Sequence, residues 1–225
     1  MALNSNKLPS SSGNLKIEPM PAATYPARIV GIVDLGLQAQ SPFQGKDKPP
    51  TYKFAFTYEF VDEFLKDADG KDMKDKPRWL TEVMPIHNLS AEKAKSTIRY
   101  KAIDPENKHK GDFSKLIDIP VMVTVVHNPN KKVTGAVWEN IGGVAAMRAK
   151  DAEKCPKLVN KPFVFDLDTP DVEVFNAVPK FLKKLITSGL EFEGSKLETL
   201  LTKSGYKAEE KEAPEEEAAS EESPY

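Results

Sequence analysis

Apolar residues recur with period two along most of the stretch from residue 24 to residue 145, a spacing that puts alternate side chains on opposite faces of a strand. Five strands are expected. The first covers 24–37, with Tyr25, Ala27, Ile29, Val33 and Leu35 on one face and Gly31 and Gly36 placed to allow a bend or bulge. The second, 51–62, alternates Tyr52, Phe54, Phe56, Tyr58 and Phe60 with Lys53, Ala55, Thr57, Glu59 and Val61. The hairpin dipeptide Asp69-Gly70 leads to a third strand over 78–87. Ser90 then stands where a helix cap would start a segment over 91–102, with Ala91, Ala94, Ile98 and Ala102 on one stripe and Lys93, Lys95, Arg99 and Lys101 around the rest. A short helical turn near 113–117 precedes a fourth strand over 121–127. The turn Asn128-Pro129-Asn130-Lys131-Lys132 feeds a fifth over 134–145.

Three strands, a helix and two strands is the element order of the OB-fold, a small barrel that binds single strands or oligosaccharides on its outer face and loops. The fold class expected is mainly β with α: a five-stranded OB-fold-like barrel with a helix between strands 3 and 4 and a C-terminal helical appendage. Residues 1–21 read as a flexible leader, 22–147 as the barrel, 148–205 as the appendage packing on it and 206–225 as a disordered acidic tail. Within the appendage, 162–167 is expected to be extended, Thr169-Pro170 to cap a helix, and Pro179 to divide the following pattern into two short helices. The second, 180–187, sets Phe181, Leu182, Leu185 and Ile186 against Lys180, Lys183 and Lys184.

Charge sharpens this picture. The chain has 32 basic and 34 acidic residues, a net of −2, but the last eighteen residues hold eight glutamates and one lysine; without them 31 basic face 26 acidic residues, a net of +5. A mildly basic body thus carries an acidic arm able to compete with a polyanion for its surface. A merely solubilising terminus is the plainer alternative. The single cysteine, Cys155, leaves no intramolecular disulfide and fits a reducing compartment. No apolar run approaches the length that spans a bilayer, so a soluble cytosolic protein is expected.

Binding a single strand needs cations for phosphates and exposed rings for bases. Arg78 is adjacent to Trp79, Tyr100 lies between Arg99 and Lys101, Lys131 and Lys132 precede Trp138, and Phe43 shares a loop with Lys46 and Lys48. Arg28, Lys53 and Lys95 extend the candidate cations. Trp79 and Trp138 suit a core position as well as a stacking platform. The aromatic row of the second strand reads more simply as the inner face of the barrel, with Tyr52, at the strand end, the member that escapes it.

Enzyme signatures are poor. His87, His109 and His127 are far apart, no short-spaced zinc pattern forms, and the Asp67–Asp72 run has glycine and lysine where an ion-binding loop needs ligands. No catalytic residue, metal or other cofactor is expected.

The segments YPARIVGIVDLGLQ (25–38), KPPTYKFAFTYEFVDEF (48–64) and DKPRWLTEVMPIHNLSAEKAKS (75–96), with the acidic tail ending in an aromatic, resemble the single-stranded DNA-binding proteins of tailed bacteriophages over roughly residues 22–192. The resemblance implies sequence-nonspecific binding of single-stranded DNA during replication and recombination in the cytoplasm of an infected bacterium, without catalysis. It also implies contact of the tail, through Glu215, Glu216, Glu217, Glu221, Glu222 and Tyr225, with a polymerase, helicase or recombination protein. The tail departs from the family in ending on tyrosine where relatives more often end on phenylalanine. The alternative is a phage structural or assembly protein that uses the barrel as a protein–protein module.

Overall fold

The computed structural model describes residues 18–129 and 137–206. Its elements, in chain order, are β1 (Thr24–Gln38), β2 (Thr51–Lys66), β3 (Asp72–Pro85), α1 (Lys95–Ile103), a 3-10 turn (Phe113–Leu116), β4 (Pro120–Pro129), β5 (Val137–Ala146), α2 (Ala149–Ala152), β6 (Phe163–Phe165), α3 (Val172–Ala177), α4 (Lys180–Thr187) and α5 (Lys196–Lys203). The protein is mainly β with helices. Five strands pair antiparallel in the order β3-β2-β1-β4-β5, and β6 adds in parallel to β1.

The sheet is open, and here the expected closed barrel is corrected: among the described residues no ladder joins the edge strands β3 and β5. Side chains join them instead. Arg78 on β3 donates to both carboxylate oxygens of Glu139 on β5, each at 2.9 Å, and Arg99 of α1 reaches the Ile141 carbonyl at 3.3 Å. The chain before β1 is drawn to the same place. The Met20 N–H donates to Glu139 Oε1 at 2.7 Å, the Met20 carbonyl meets His127 Nε2 at 2.7 Å, and the Glu18 carbonyl accepts from Arg78 at 2.6 Å. Met20 is buried. Met20, expected to belong to a flexible leader, is therefore part of the core, while Glu18, Pro19 and Pro21 around it stay exposed; the stretch covers an edge whose backbone groups must otherwise be paired.

Two apolar layers sandwich the sheet. Ala27, Ile29, Ile32, Phe54, Phe56, Tyr58, Phe60, Val121, Val123 and Val125 fill its inner face together with Tyr100, Ile103, Phe113 and Leu116 from α1 and the 3-10 turn. Val33, Leu35 and Ala55 form the other face, covered by Phe163, Phe165, Phe175, Leu182, Ile186, Leu197 and Leu201. The C-terminal segment thus packs on the strands through α3, α4, α5 and β6. β1 serves both layers because its register against β2 slips between Ile29 and Gly31, which reverses the faces of the residues that follow, up to a second slip between Asp34 and Gly36. Val33 and Leu35 accordingly leave the face of Ala27 and Ile29, with which strict alternation had grouped them. Gly31 is required at the slip, since a Cβ there would lie 2.8 Å from the Phe163 ring at Cε2.

The Asp69-Gly70 hairpin forms as expected. Gly70 takes φ 78°, and the Asp67 carboxylate accepts from the Asp69 and Lys71 N–H groups at 3.0 and 2.9 Å. Pro179 divides α3 from α4, while the cap falls on Asp171, not Thr169; its carboxylate accepts from Glu173 and Val174 N–H. α1 departs most from the sequence pattern. It starts at Lys95 after Ala94, with no side-chain cap, and it buries Ser96, Thr97, Arg99, Tyr100 and Ile103 while half of Ile98 is exposed.

Candidate functional site

The candidate cations divide sharply by what they already hold. The Arg28 guanidinium donates to the carbonyls of Pro156 at 2.7 Å, Cys155 at 3.2 Å and Asp118 at 2.7 Å, so it fastens the start of the C-terminal segment to β1. Arg78 is engaged with Glu139 and Glu18. Arg99, 6 % exposed, donates through Nε to Glu82 Oε1 at 2.9 Å and through its terminal nitrogen to Glu82 Oε2 at 3.2 Å. The Lys95 ammonium lies 3.2 Å from the same carboxylate. Tyr100 is buried with its hydroxyl donating to Asp104 and accepting from the Gly111 N–H. The expectation that Arg28, Arg78, Arg99 and Tyr100 line a binding surface is therefore corrected. A buried guanidinium keeps its charge only where carboxylates and carbonyls replace its water, and these groups consume its donors.

Lys46 and Lys48 remain exposed in the β1–β2 loop, and Lys53 is half-buried at the start of β2. The loop is pinned by reciprocal backbone hydrogen bonds between Phe43 and Lys46, at 2.9 and 3.0 Å. The Lys48 ammonium sits 4.7 Å from the Phe43 ring centre, a cation–π contact beside an open ring. Tyr52 follows on β2, half exposed, with its hydroxyl donating to Glu191 at 2.9 Å. That hydrogen bond, with the charge of Glu191, pushes the phenol above its ordinary value, so the ring stays neutral. The Tyr52 carbonyl accepts from the Ile86 N–H, and beyond it opens a depression of about 340 Å³ lined by Ile86, His87, Asn88, Leu89, Lys110, Gly111 and Phe113.

The two tryptophans flank the open seam. Neither is core: Trp79 on β3 is 36 % exposed and Trp138 on β5 is 52 % exposed. Arg78 and Glu139 point into the seam, so their neighbours Trp79 and Trp138 face the other side of their strands. Trp79 pairs across the ladder with Glu59 of β2, and its indole N–H donates to Glu59 Oε2 at 3.2 Å. Glu59 is 1 % exposed and accepts three further hydrogen bonds from the C-terminal segment, from the Val159 N–H at 2.6 Å, the Asn160 N–H at 3.3 Å and the Asn160 side-chain amide at 2.7 Å. Along that segment exposure alternates. Leu158 and Asn160 are half-buried, and Lys157, Val159 and Lys161 face solvent.

Lys157 and Lys161 are functional candidates that the sequence reading missed. The segment shows no regular periodicity of its own, and it is placed by tertiary contacts, Arg28 holding the Cys155 and Pro156 carbonyls and Glu59 holding Val159 and Asn160. Lys131, Lys132, Glu215, Glu216, Glu217, Glu221, Glu222 and Tyr225 lie outside the described residues. Among the described residues no three His, Cys, Asp or Glu side chains gather in a way that would hold a metal ion, and no helix is long and apolar enough to cross a membrane.

Comparison with family models, with curated proteins and with solved structures finds no match for this chain.

Proposed function

We propose that the protein binds single-stranded DNA without sequence preference, by stacking bases on exposed rings and holding phosphates with lysines, in the setting of phage DNA replication and recombination. The observation that carries this reading is the exposure of Phe43, Tyr52, Trp79 and Trp138, each more than a third open to solvent, in a protein that otherwise buries most of its large rings. Stacking on such rings stabilises binding by about 1–3 kcal/mol per base and tolerates any base. Lys46 and Lys48 share the loop of Phe43, with the Lys48 ammonium over its ring, and the exposed Lys157 and Lys161 lie on the segment whose Asn160 shares the Glu59 carboxylate with Trp79. The strand order β3-β2-β1-β4-β5 with α1 between β3 and β4 agrees with an OB-like sheet whose seam is closed by side chains in place of a ladder. No step of catalysis is part of the proposal.

Titrating fluorescent oligo-dT at increasing salt tests it. Affinity should fall linearly on a double-logarithmic plot, because each neutralised phosphate releases counterions. Replacing Lys46 and Lys48 together by glutamine should weaken all homopolymers alike and flatten that slope by about one to two units, since phosphate contacts hold charge and no base information. A protein that binds no oligo-dT at low salt is instead an assembly module, a reading favoured by the apolar residues Phe181, Leu190 and Leu200 exposed on the C-terminal segment.

The acidic tail is read as a competitor for the same cations and a contact for replication partners. Deleting 208–225 removes a net charge of −7 and should tighten oligo-dT binding at low salt, with the gain shrinking as the Debye length shortens. Equal affinities for the full and shortened chains at low salt would remove the masking role.

A further inference from the structure

The Glu59 carboxylate joins two things that the sequence keeps eighty residues apart. One is the indole of Trp79, on the strand paired with β2; the other is the Val159–Asn160 backbone with the Asn160 amide. Four donors converge on two oxygens, and Oε2 takes three of them: the indole N–H, the Asn160 backbone N–H and the Asn160 side-chain amide. A carboxylate withdrawn from water is stable only while such donors replace its hydration. Each donor therefore supports the others: lifting Val159 and Asn160 away would leave Glu59 to find water, and the indole would lose the fixed acceptor that sets its ring plane.

We propose that Glu59 is a positioning residue that couples docking of the 154–162 segment to the Trp79 platform, so that a base-stacking site beside Lys157 and Lys161 exists only while the C-terminal segment is docked. The inference rests on the proposed single-strand binding for its ligand, and on the hydrogen-bond geometry alone for the coupling. Linkage makes the relation reciprocal: a strand that stacks on Trp79 in its docked orientation must also hold the segment down. Lys157 and Lys161 then meet the phosphates that flank the stacked base, and Val159 presents the apolar edge between them.

The chain contains two tryptophans, so Trp138→Phe leaves Trp79 as a sole reporter. In that background Glu59→Gln keeps the size of the side chain but exchanges one acceptor oxygen for a donor amide, which must face an N–H already present. The expected result is a rise of about twofold or more in acrylamide quenching of Trp79, together with faster proteolytic cleavage within 154–162. Oligo-dT affinity should fall about fivefold or more, the lower end of what a lost stacking contact costs. Asn160→Ala removes a single donor from a half-exposed residue and should move all three readouts the same way by less, which keeps the test informative if Glu59→Gln folds poorly. Trp79→Phe keeps a ring and lacks the N–H; in the full chain carrying it, Glu59→Gln should cost less affinity than in the wild type, the signature of coupled residues. Unchanged quenching and cleavage in both variants overturn the coupling, whether or not DNA binds. Altered quenching and cleavage with no oligo-dT binding by the wild type retain the coupling and remove the proposed function.

Discussion

Replacing Arg99 by methionine is expected to lower folding stability by about 3–5 kcal/mol while leaving the oligo-dT affinity of the folded protein unchanged. The guanidinium and the Glu82 carboxylate are both buried, 6 % exposed each, and face each other across α1 and β3. Removing the cation leaves Glu82 with the Tyr58 hydroxyl at 2.8 Å and the half-exposed Lys95 as its remaining partners. Burial first, then the charge of Glu82 and the hydrogen bond to it, push the Tyr58 phenol well above its ordinary value, so that it is held as a neutral donor. One neutral donor and one partly hydrated ammonium do not replace two guanidinium contacts on a carboxylate that has left water. The seam is weakened as well, because Arg99 also donates to the Ile141 carbonyl of β5. Urea denaturation gives the measurement, and adding Glu82→Gln should recover part of the loss by removing the stranded charge. A variant of normal stability and weak oligo-dT binding would put Arg99 back on the binding surface.

Replacing Trp138 by alanine should have the opposite signature. Affinity for oligo-dT is expected to drop by about 1–3 kcal/mol, or roughly 5- to 150-fold, with the melting temperature almost unchanged. The ring is half exposed at the start of β5, where its cross-strand neighbour Asn128 is exposed too, so its removal opens no cavity. A tryptophan packed in the core would cost about 3–5 kcal/mol of stability on truncation. Intrinsic fluorescence offers a second reading of the same residue: in Trp79→Phe, where Trp138 is the only indole, emission should be quenched by the strand. A large loss of stability with full residual binding would assign the ring to packing and leave the stacking surface to Phe43, Tyr52 and Trp79.

Strand content, the β2–β3 hairpin and the two-helix break at Pro179 were legible because each is governed by local rules: alternation on a pleated strand, a left-handed Gly70, and a ring that cannot continue a helix. The inner face of β2 was legible for the same reason. Phe54, Phe56, Tyr58 and Phe60 are buried, and Tyr52 leaves the core at the strand end. α5 was not read, although Ser195 caps it by accepting from the Glu198 N–H and Glu198 in turn accepts from the Gly194 N–H, a local signal that was there to be used.

The candidate site was the least legible part, and the reason is physical. A sequence shows how many charges and rings a chain has but not which charges are spent on one another. Arg28, Arg78 and Arg99 look like free cations until β1, β3 and α1 are brought against Asp118, Glu139 and Glu82. The apolar stripe of α1 misleads for a related reason: Arg99 and Tyr100 can be buried because partners outside the helix, Glu82 and Ile141 for one and Asp104 and Gly111 for the other, satisfy their polar atoms, so Ile98 is left facing solvent. Local pattern alone thus determined the strands, the inner face of β2 and the break between α3 and α4. Tertiary structure decided that the sheet stays open and is bridged by Arg78 and Glu139, that residues 18–20 seal it, that β1 changes face at Gly31, and that Val159 and Asn160 dock on Glu59, the acceptor of the Trp79 indole. Those outcomes depend on contacts distant in sequence, whose loop-closure entropy and desolvation are settled only when the whole chain packs.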